Sequence, residues 1–296
     1  MKKIKEFLLQ DSVVGYLFVL PLIIVVLGLM AYPFFNGVAL SFTEKMVGYP
    51  SRFVGIKHYI YLAQDWIFRK TVANSFIYTG GAVTVKLILG MIMAISLNQA
   101  LRGMRFFRAY FLVPWVAPTV VAALMWVWMF SGSKGIINLV LSDIGIIKEN
   151  IMWLSNPTLA LVSIIIANIW RGFPFFGVSL LAGLQAIPHE HYEVAQIDGA
   201  SHIQQFVHIT LPGLRYVIGI TVLLSSVLTL NDFALVWVMT KGGPARATNI
   251  FATYAYQTAF QELHWGRALA ISIYVLPILI VAIVLYSHYT LKGGEK

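Results

Sequence analysis

Long apolar segments make up most of this chain and limit the folds that are available to it. Residues 12–43 contain no charged side chain, and this run is far longer than the ~20 residues that cross the hydrocarbon core of a bilayer. Only 11% of the 296 residues are charged, against roughly 25% in soluble domains. Because lipid offers the backbone no hydrogen-bond partners, segments of this kind must be helical. The sequence therefore predicts an all-α membrane protein.

Six segments are predicted to span the membrane. They cover residues 13–35, 71–98, 109–130, 158–187, a segment from 212 past 231–232, and 268–291. The first has the basic front end of a signal peptide, but its apolar part exceeds a signal core of ~15 residues and no small-residue cleavage site follows, so we expect an uncleaved anchor. The predicted organisation is an N-terminal segment (1–12), a six-span domain (13–291) that includes a loop at 188–212, and a tail (292–296).

Basic residues close to the spans predict the orientation. The two sides of the membrane carry similar totals of Lys and Arg, but on one side they lie in much shorter segments, and short flanks have most of the orienting effect. Both termini, the connector at 98–108 and the loop at 188–212 are therefore predicted to be cytoplasmic. Residues 36–70 and 131–157 are predicted to be external loops. Within the second of these, the apolar run 136–147 is too short to cross the bilayer.

Polar side chains lie at mid-depth in several predicted spans. Asn168 and Arg171 lie in the fourth span, and Asp232 lies in the fifth. Because such groups usually face a water-filled path or a partner, we predict that these three line a solute pocket. An alternative for Arg171 and Asp232 is a buried ion pair that holds the two spans together. Lys86, in the second span, could extend to an interface or pair with Asp232.

Helix breakers accompany these groups. Pro114 and Pro118 predict a kinked third helix that lines a cavity, since proline is tolerated in membrane helices where neighbours or water satisfy the freed carbonyls. A Gly-Gly-Pro sequence at Gly242 to Pro244 predicts a break after the fifth span.

The loop at 188–212 has the pattern of two short helices joined by a glycine turn. Pro188 suits a first helical turn, Gly199 suits a left-handed cap, and Ser201 with Gln204 forms a capping-box pattern. The loop carries three acidic residues and no Lys or Arg, which indicates a contact with another protein on a side that favours basic residues. A zinc site of the HExxH type would require histidine where Glu193 stands, so no metal site is predicted.

The same loop resembles the EAA loop of binding-protein-dependent ABC importers. The similarity is carried by Glu193, Val194, Ala195 and Gly199 together with Ile209, Leu211 and Pro212, and Val194 stands where the family has its second alanine. The resemblance implies a cytoplasmic coupling helix that docks on an ATPase subunit. The residues that it assigns to this coupling are Glu193, Ala195, Asp198, Gly199, Ala200, Leu211 and Pro212.

Further segments are similar to the maltose-type sugar-permease branch of that family. They are Phe106-Phe107-Arg108 leading to Val113-Pro114-Trp115, the segment from Asn168 to Pro174, and the run from Thr240 to Pro244 followed by Tyr256, Ala259 and Phe260. This resemblance implies the type I ABC importer permease fold with six transmembrane helices and cytoplasmic EAA coupling helices. It adds further expected pocket residues, which are Trp115, Thr119, Gly172, Phe175, Ser225 and Leu228.

The chemistry of a sugar agrees with that pocket. Sugar hydroxyls bind amides and carboxylates, while the C–H faces pack on aromatic rings, here Trp115, Trp170 or Phe175. The resemblance implies a permease subunit in a bacterial or archaeal cytoplasmic (inner) membrane. Its implied partners are a second permease, two ATPase subunits, an external solute-binding protein that delivers a saccharide, and the lipid bilayer.

Several functions are excluded or kept as alternatives. No G-x-x-x-x-G-K-[ST] motif occurs, so we expect no enzyme activity and no cofactor in this chain, with ATP and Mg²⁺ bound by the partner ATPase. The net charge of +9 does not indicate nucleic-acid binding, because no basic stripe with interleaved aromatics occurs in a soluble domain. An ABC permease for another small solute, such as a glycerol phosphodiester, remains an alternative. So do an ion-coupled carrier, for which Asp232 is the candidate intramembrane acid, and a passive channel.

Overall fold

The fold is mostly helical in the part of the chain that the computed structural model describes, which is residues 11–46, 48–99 and 103–293. The helices are α1 (Asp11–Val25), α2 (Tyr32–Ser41), α3 (Lys57–Gln64), α4 (Trp66–Leu97), α5 (Met104–Val116), α6 (Thr119–Met129), α7 (Ile136–Asp143), α8 (Pro157–Gln185), α9 (Glu190–Ile197), α10 (His202–Gln205), α11 (Leu211–Leu230), α12 (Phe233–Thr240), α13 (Phe251–Tyr256), α14 (Trp265–Tyr274) and α15 (Leu276–Gly293). Two short antiparallel strands, β1 (Thr43–Glu44) and β2 (Arg52–Phe53), lie between α2 and α3.

The prediction of six spans is confirmed. Among the described residues, five continuous helical stretches are long and apolar enough to cross a membrane: Phe18–Ser41, Trp66–Leu97, Pro157–Gln185, His202–Leu230 and Trp265–Val284. A bent pair, Phe106–Val116 with Thr119–Met129, makes the sixth. The predicted N-terminal segment and tail lie mostly outside the described residues.

The third span is broken rather than kinked, so the prediction of one helix over 109–130 is wrong. The axes of α5 and α6 differ by 89°. Ala117 is extended, with φ −60° and ψ 131°, because the ring of Pro118 disfavours helical backbone in the residue that precedes it. Pro114, by contrast, lies inside α5. The chain therefore turns sharply at one proline and not at the other.

Two other predicted boundaries differ from those in the structure. The first span continues to Ser41, so the segment that was predicted to be external begins after Ser41 and not at residue 36. The second helix of the 188–212 loop does not end before the fifth span. Instead α10 joins α11 through one π-helical turn, Phe206–Thr210. Because the helix is continuous through this junction, one arm of the loop is held at a fixed angle to the span.

The fifth span ends at Leu230, and the helical path is interrupted at Asn231 and Asp232, so the prediction that this span passes residues 231–232 is wrong. Asp232 has φ −75° and ψ 72°, and its side chain accepts a hydrogen bond from the backbone N–H of Leu235 at 3.4 Å, which caps α12. The predicted break at Gly242 to Pro244 also exists, since α12 ends at Thr240. A buried carboxylate is thus positioned between two helices at the centre of the bundle.

The close pairing of α4 and α8 forms the middle of the bundle. A Cβ atom on Gly90 would overlap Phe176 and would lie 2.9 Å from the backbone nitrogen of Gly177, so only glycine permits this approach. Small residues at helix crossings are the usual means of close packing in membranes. Buried apolar residues continue the contact, among them Met93, Leu97, Phe176, Leu180, Leu184 and Leu214.

Candidate functional site

A cavity of about 510 Å³ lies between α4, α8, the break before α6 and the break between α11 and α12. All nine residues that the sequence predicted as pocket residues lie in its wall. They are Trp115, Thr119, Asn168, Arg171, Gly172, Phe175, Ser225, Leu228 and Asp232, and the wall is completed by Lys86, Thr229, Asn231, Phe233 and Ala234. Trp115 and Leu228 are more than half exposed, so the cavity is open on their side.

Asp232 is the centre of a buried polar network. Its Oδ2 accepts hydrogen bonds from the hydroxyl of Tyr78 at 3.0 Å and from Nδ2 of Asn168 at 2.8 Å, and the same Nδ2 also donates to the Tyr78 hydroxyl at 2.7 Å. A guanidinium nitrogen of Arg171 lies 3.5 Å from Oδ2. Asp232 is therefore held by donors from α4 and α8 as well as by its own helix.

Arg171 connects this network to the broken third span. Its Nη2 forms the ion pair with Asp232, and its Nη1 donates to Oγ1 of Thr119, the first residue of α6, at 2.6 Å. The Arg171 side chain is 28% exposed, whereas that of Asp232 is 7% exposed. The ion pair between spans four and five thus exists in the structure, and both of its members also face the cavity.

Lys86 lies in the cavity wall and is almost completely buried. Its Nζ donates to Oγ1 of Thr229 at 3.1 Å. Among the described residues, the direct salt bridge of Asp232 is with Arg171, and Lys86 lies in the same cavity wall without a direct salt bridge to that carboxylate. Gly172 makes room for the lysine, because a Cβ at that position would lie 2.5 Å from Cε of Lys86.

Aromatic rings form the less polar part of the wall. The rings of Trp115 and Phe175 are stacked, with centroids 6.4 Å apart and an interplanar angle of 22°. Trp170, the third aromatic residue suggested for sugar packing, does not line the cavity. It packs edge-on against Trp126 at 5.9 Å, beside a buried apolar cluster. Trp170 and Arg171 are adjacent in the sequence and therefore face different sides of α8, and of the two only Arg171 lines the cavity.

Tyr78 and Thr229 are two polar residues of the site that sequence reasoning missed. Both are buried, and each contacts a charged member of the site. A helical periodicity could have indicated them, because residues four or eight positions apart lie on one helix face. Tyr78 precedes Lys86 by two turns, and Thr229 follows Ser225 by one turn.

The 188–212 hairpin is the second candidate site and lies away from the cavity. Gly199 has φ +77° and is exposed, as predicted for a left-handed turn between α9 and α10. Both bonds of the predicted capping box are present, from Ser201 N to Gln204 Oε1 at 2.7 Å and from Gln204 N to Ser201 Oγ at 3.3 Å. The hydroxyls of Tyr192 and Thr210 are 3.0 Å apart and tie the two arms together.

The residues predicted for coupling lie in three places on the hairpin. Ala195, Asp198, Gly199 and Ala200 line a shallow groove at the tip of the hairpin. Glu193 is exposed on α9 and lies 3.4 Å from Nδ1 of His189. Leu211 and Pro212 lie where the hairpin joins the fifth span, and Leu211 packs against the buried cluster between α4 and α8.

The hairpin tip is an exposed apolar surface. Ile197 is 86% exposed and Ile203 is 76% exposed, with Val194 beside them on α9. In the described part of the chain, no three His, Cys, Asp or Glu side chains come together in a way that could hold a metal ion. The hairpin therefore presents apolar and acidic side chains, which is the composition of a protein-contact surface.

A bundle of membrane-spanning helices with a polar cavity at its centre and an exposed hairpin at one end defines the class as a multi-pass membrane permease. Residues 86–291 match the family described as binding-protein-dependent transport system inner membrane component. The chain belongs to this family, which comprises the non-catalytic permease subunits of ABC importers. The alternatives of an ion-coupled carrier and a passive channel are therefore set aside.

Individual relatives agree with this assignment. The chain is 35% identical to the trehalose/maltose transport system permease protein MalF of Thermococcus litoralis over 271 residues, which cover 90% of each chain. It is 32% identical to the sulfoquinovosyl glycerol transport system permease protein SmoG of Agrobacterium fabrum, with 94% of this chain and 91% of the relative covered.

The fold also matches a solved transporter. A chain in the crystal structure of a bacterial ABC transporter involved in the import of the acidic polysaccharide alginate superimposes with a TM-score of 0.83, covering 98% of this chain and 99% of that one at 22% identity. The predicted type I ABC importer permease fold is thereby confirmed.

Proposed function

We propose that this chain is the permease subunit of an importer that moves a saccharide through the central cavity by alternating access. The relatives carry names of trehalose/maltose and sulfoquinovosyl glycerol transport systems, and this supports a saccharide as the solute. In this proposal an external solute-binding protein delivers the sugar, a second permease completes the pathway, and two ATPase subunits supply the energy. A glycerol phosphodiester would fit the same permease class, but no relative named above favours it.

The observation that carries the proposal is the composition of the cavity wall. Hydrogen-bonding groups from Asn168, Arg171 and Ser225 and the stacked rings of Trp115 and Phe175 face one space of about 510 Å³. Sugars are bound by this combination, since amide, hydroxyl and charged groups bind the hydroxyls and aromatic faces pack on the C–H surface. Leu228, Thr119, Gly172 and Asp232 complete the proposed binding surface.

The hairpin is proposed to transmit ATP hydrolysis to the cavity. Its tip, formed by Ala195, Asp198, Gly199 and Ala200 with Glu193 beside it, would dock on an ATPase subunit. The continuous helix from His202 to Leu230 supports this role, because a movement of the hairpin is passed directly to the span that precedes Asp232. The proposal places this hairpin, both termini, the segment 1–12 and the tail 292–296 in the cytoplasm.

The test uses two cavity variants in the complete importer reconstituted with its binding protein. Asn168→Ala removes two hydrogen-bond donors from the network, and Trp115→Ala removes a stacked ring, so both should abolish uptake of a radiolabelled disaccharide. The control is Trp128→Ala, because this exposed tryptophan on α6 does not line the cavity and its removal should preserve uptake.

Assembly with the ATPase subunits is measured in parallel by co-purification. Loss of uptake with an intact complex would support the assignment of this cavity as the solute-binding site. Loss of assembly in both cavity variants would favour a purely structural role for these residues. Uptake at the wild-type rate in both would exclude this cavity as the solute path.

A further inference from the structure

The cavity wall carries an excess of positive charge. Its lining residues include two cations, Lys86 and Arg171, and one carboxylate, Asp232. The carboxylate is 3.5 Å from Arg171 and forms no ion pair with Lys86 among the described residues. A charge at membrane depth is costly unless an opposite charge or several polar partners accompany it. The two cations therefore share one carboxylate, and the wall carries one positive charge more than it carries negative charges.

Asp232 has little remaining capacity to accept hydrogen bonds from a solute. A carboxylate offers about four acceptor positions. Four groups already point at this one: the Tyr78 hydroxyl, Nδ2 of Asn168, the Arg171 guanidinium and the backbone N–H of Leu235. The acceptor positions of the Asp232 carboxylate are thus used by donors from the protein itself.

The two cations, in contrast, retain donors. Lys86 has three N–H groups, and its hydrogen bond among the described residues goes to the neutral hydroxyl of Thr229. Arg171 has five N–H groups, which contact Thr119 and Asp232. At Lys86 and Arg171, the cavity wall therefore presents N–H donors and a net positive charge to a solute.

The position of Lys86 depends on a specific feature of the neighbouring helix. Gly172 follows Arg171 on α8, and any side chain at 172 would collide with the end of the lysine, at 2.5 Å from Cε and 2.9 Å from Nζ. The glycine therefore allows both cations to reach the same cavity from adjacent positions of the wall. This arrangement is therefore part of the packing of α4 against α8.

We propose that the solute carries an anionic oxygen group, such as a carboxylate, which binds at Lys86 and Arg171 and supplies the missing counter-charge. This inference rests on the proposed function and narrows it: the transported saccharide is acidic, as a uronate-containing sugar is. The sugar ring would then lie toward Trp115 and Phe175, on the aromatic side of the same wall.

The first test uses the wild-type importer with its binding protein in proteoliposomes. The probes are neutral disaccharides, their uronate counterparts such as digalacturonate, and a glycerol phosphodiester. Uptake of a uronate at least about tenfold faster than that of its neutral counterpart is expected, as loss of one hydrogen bond to a charged group predicts.

The outcomes separate this inference from the proposed function. Uptake of neutral disaccharides without uptake of the uronates would refute the anionic solute and leave the saccharide permease intact. Uptake of the phosphodiester alone would refute the saccharide and support the anion site. Uptake of none of the probes would refute both.

The second test is the variant Lys86→Met, which keeps an apolar stem of similar length and removes the charge. It should lower the ratio of uronate uptake to neutral-disaccharide uptake at least about tenfold. The matched control is Lys148→Met, which removes an exposed lysine on the connection between α7 and α8 and should leave both rates unchanged. Uronate uptake at the wild-type rate in Lys86→Met would overturn the proposal. If that variant does not assemble, the comparison of wild-type uptake decides the question alone.

Discussion

Replacement of Asp232 by alanine should loosen the centre of the bundle, because this carboxylate joins three helices. It accepts hydrogen bonds from Tyr78 on α4 and Asn168 on α8, and it pairs with Arg171. In Asp232→Ala these three donors lose their shared acceptor. The expected result is a less stable complex, independent of any effect on transport.

The size of the effect follows from the number of donors. Hydrogen bonds between membrane helices contribute about 0.6 kcal/mol each on average. Three donors converge on Oδ2 of Asp232, so the free energy of unfolding should fall by about 2 kcal/mol. For a chain of this size, that corresponds to a decrease in Tm of about 3 °C.

The assay is thermal unfolding of the purified complex, followed by size-exclusion chromatography after heating. A double-mutant cycle with Tyr78→Phe tests the cause. If the Tyr78 hydroxyl stabilises the complex through Asp232, its removal should cost less stability when Asp232 is already absent. Tyr61→Phe is the control partner, because Tyr61 lies on α3 and should give additive effects with Asp232→Ala. A Tm for Asp232→Ala within about 1 °C of the wild type, or additivity with Tyr78→Phe, would refute the reasoning.

Three other predictions concern packing, coupling and topology. Gly90→Ala should destabilise the complex by about 1 to 3 kcal/mol through overlap with α8, whereas Gly80→Ala on the same helix meets nothing within 4 Å and should be tolerated in the same thermal assay. Gly199→Val should lose ATPase co-purification, because φ is +77° there and β-branched residues do not adopt it; an intact complex would contradict the docking role. A reporter fused after Lys296 should behave as cytoplasmic and one inserted near Lys148 as external, and reversed signals would contradict the predicted orientation.

Local sequence patterns accounted for the membrane-spanning helices and for the hairpin. Apolar length alone indicates a spanning helix, because backbone satisfaction in lipid leaves few other structures. The turn at Gly199 and the capping box at Ser201 and Gln204 likewise depend on residues within one or two helical turns, so the sequence could indicate them. The pocket residues were placed on the same wall mainly through the family resemblance, since spacing alone pointed only to Asn168, Arg171 and Asp232.

The tertiary structure decided the features that depend on distant parts of the chain. Pro114 and Pro118 look alike in the sequence, yet α5 continues through the first and turns by 89° at the second. Tyr78 donates to Asp232 across 154 residues of sequence, and Lys86 reaches the cavity because Gly172 on another helix leaves space for it. Such contacts are determined by how the helices pack, and helix packing depends on the whole set of facing side chains, which no single segment specifies.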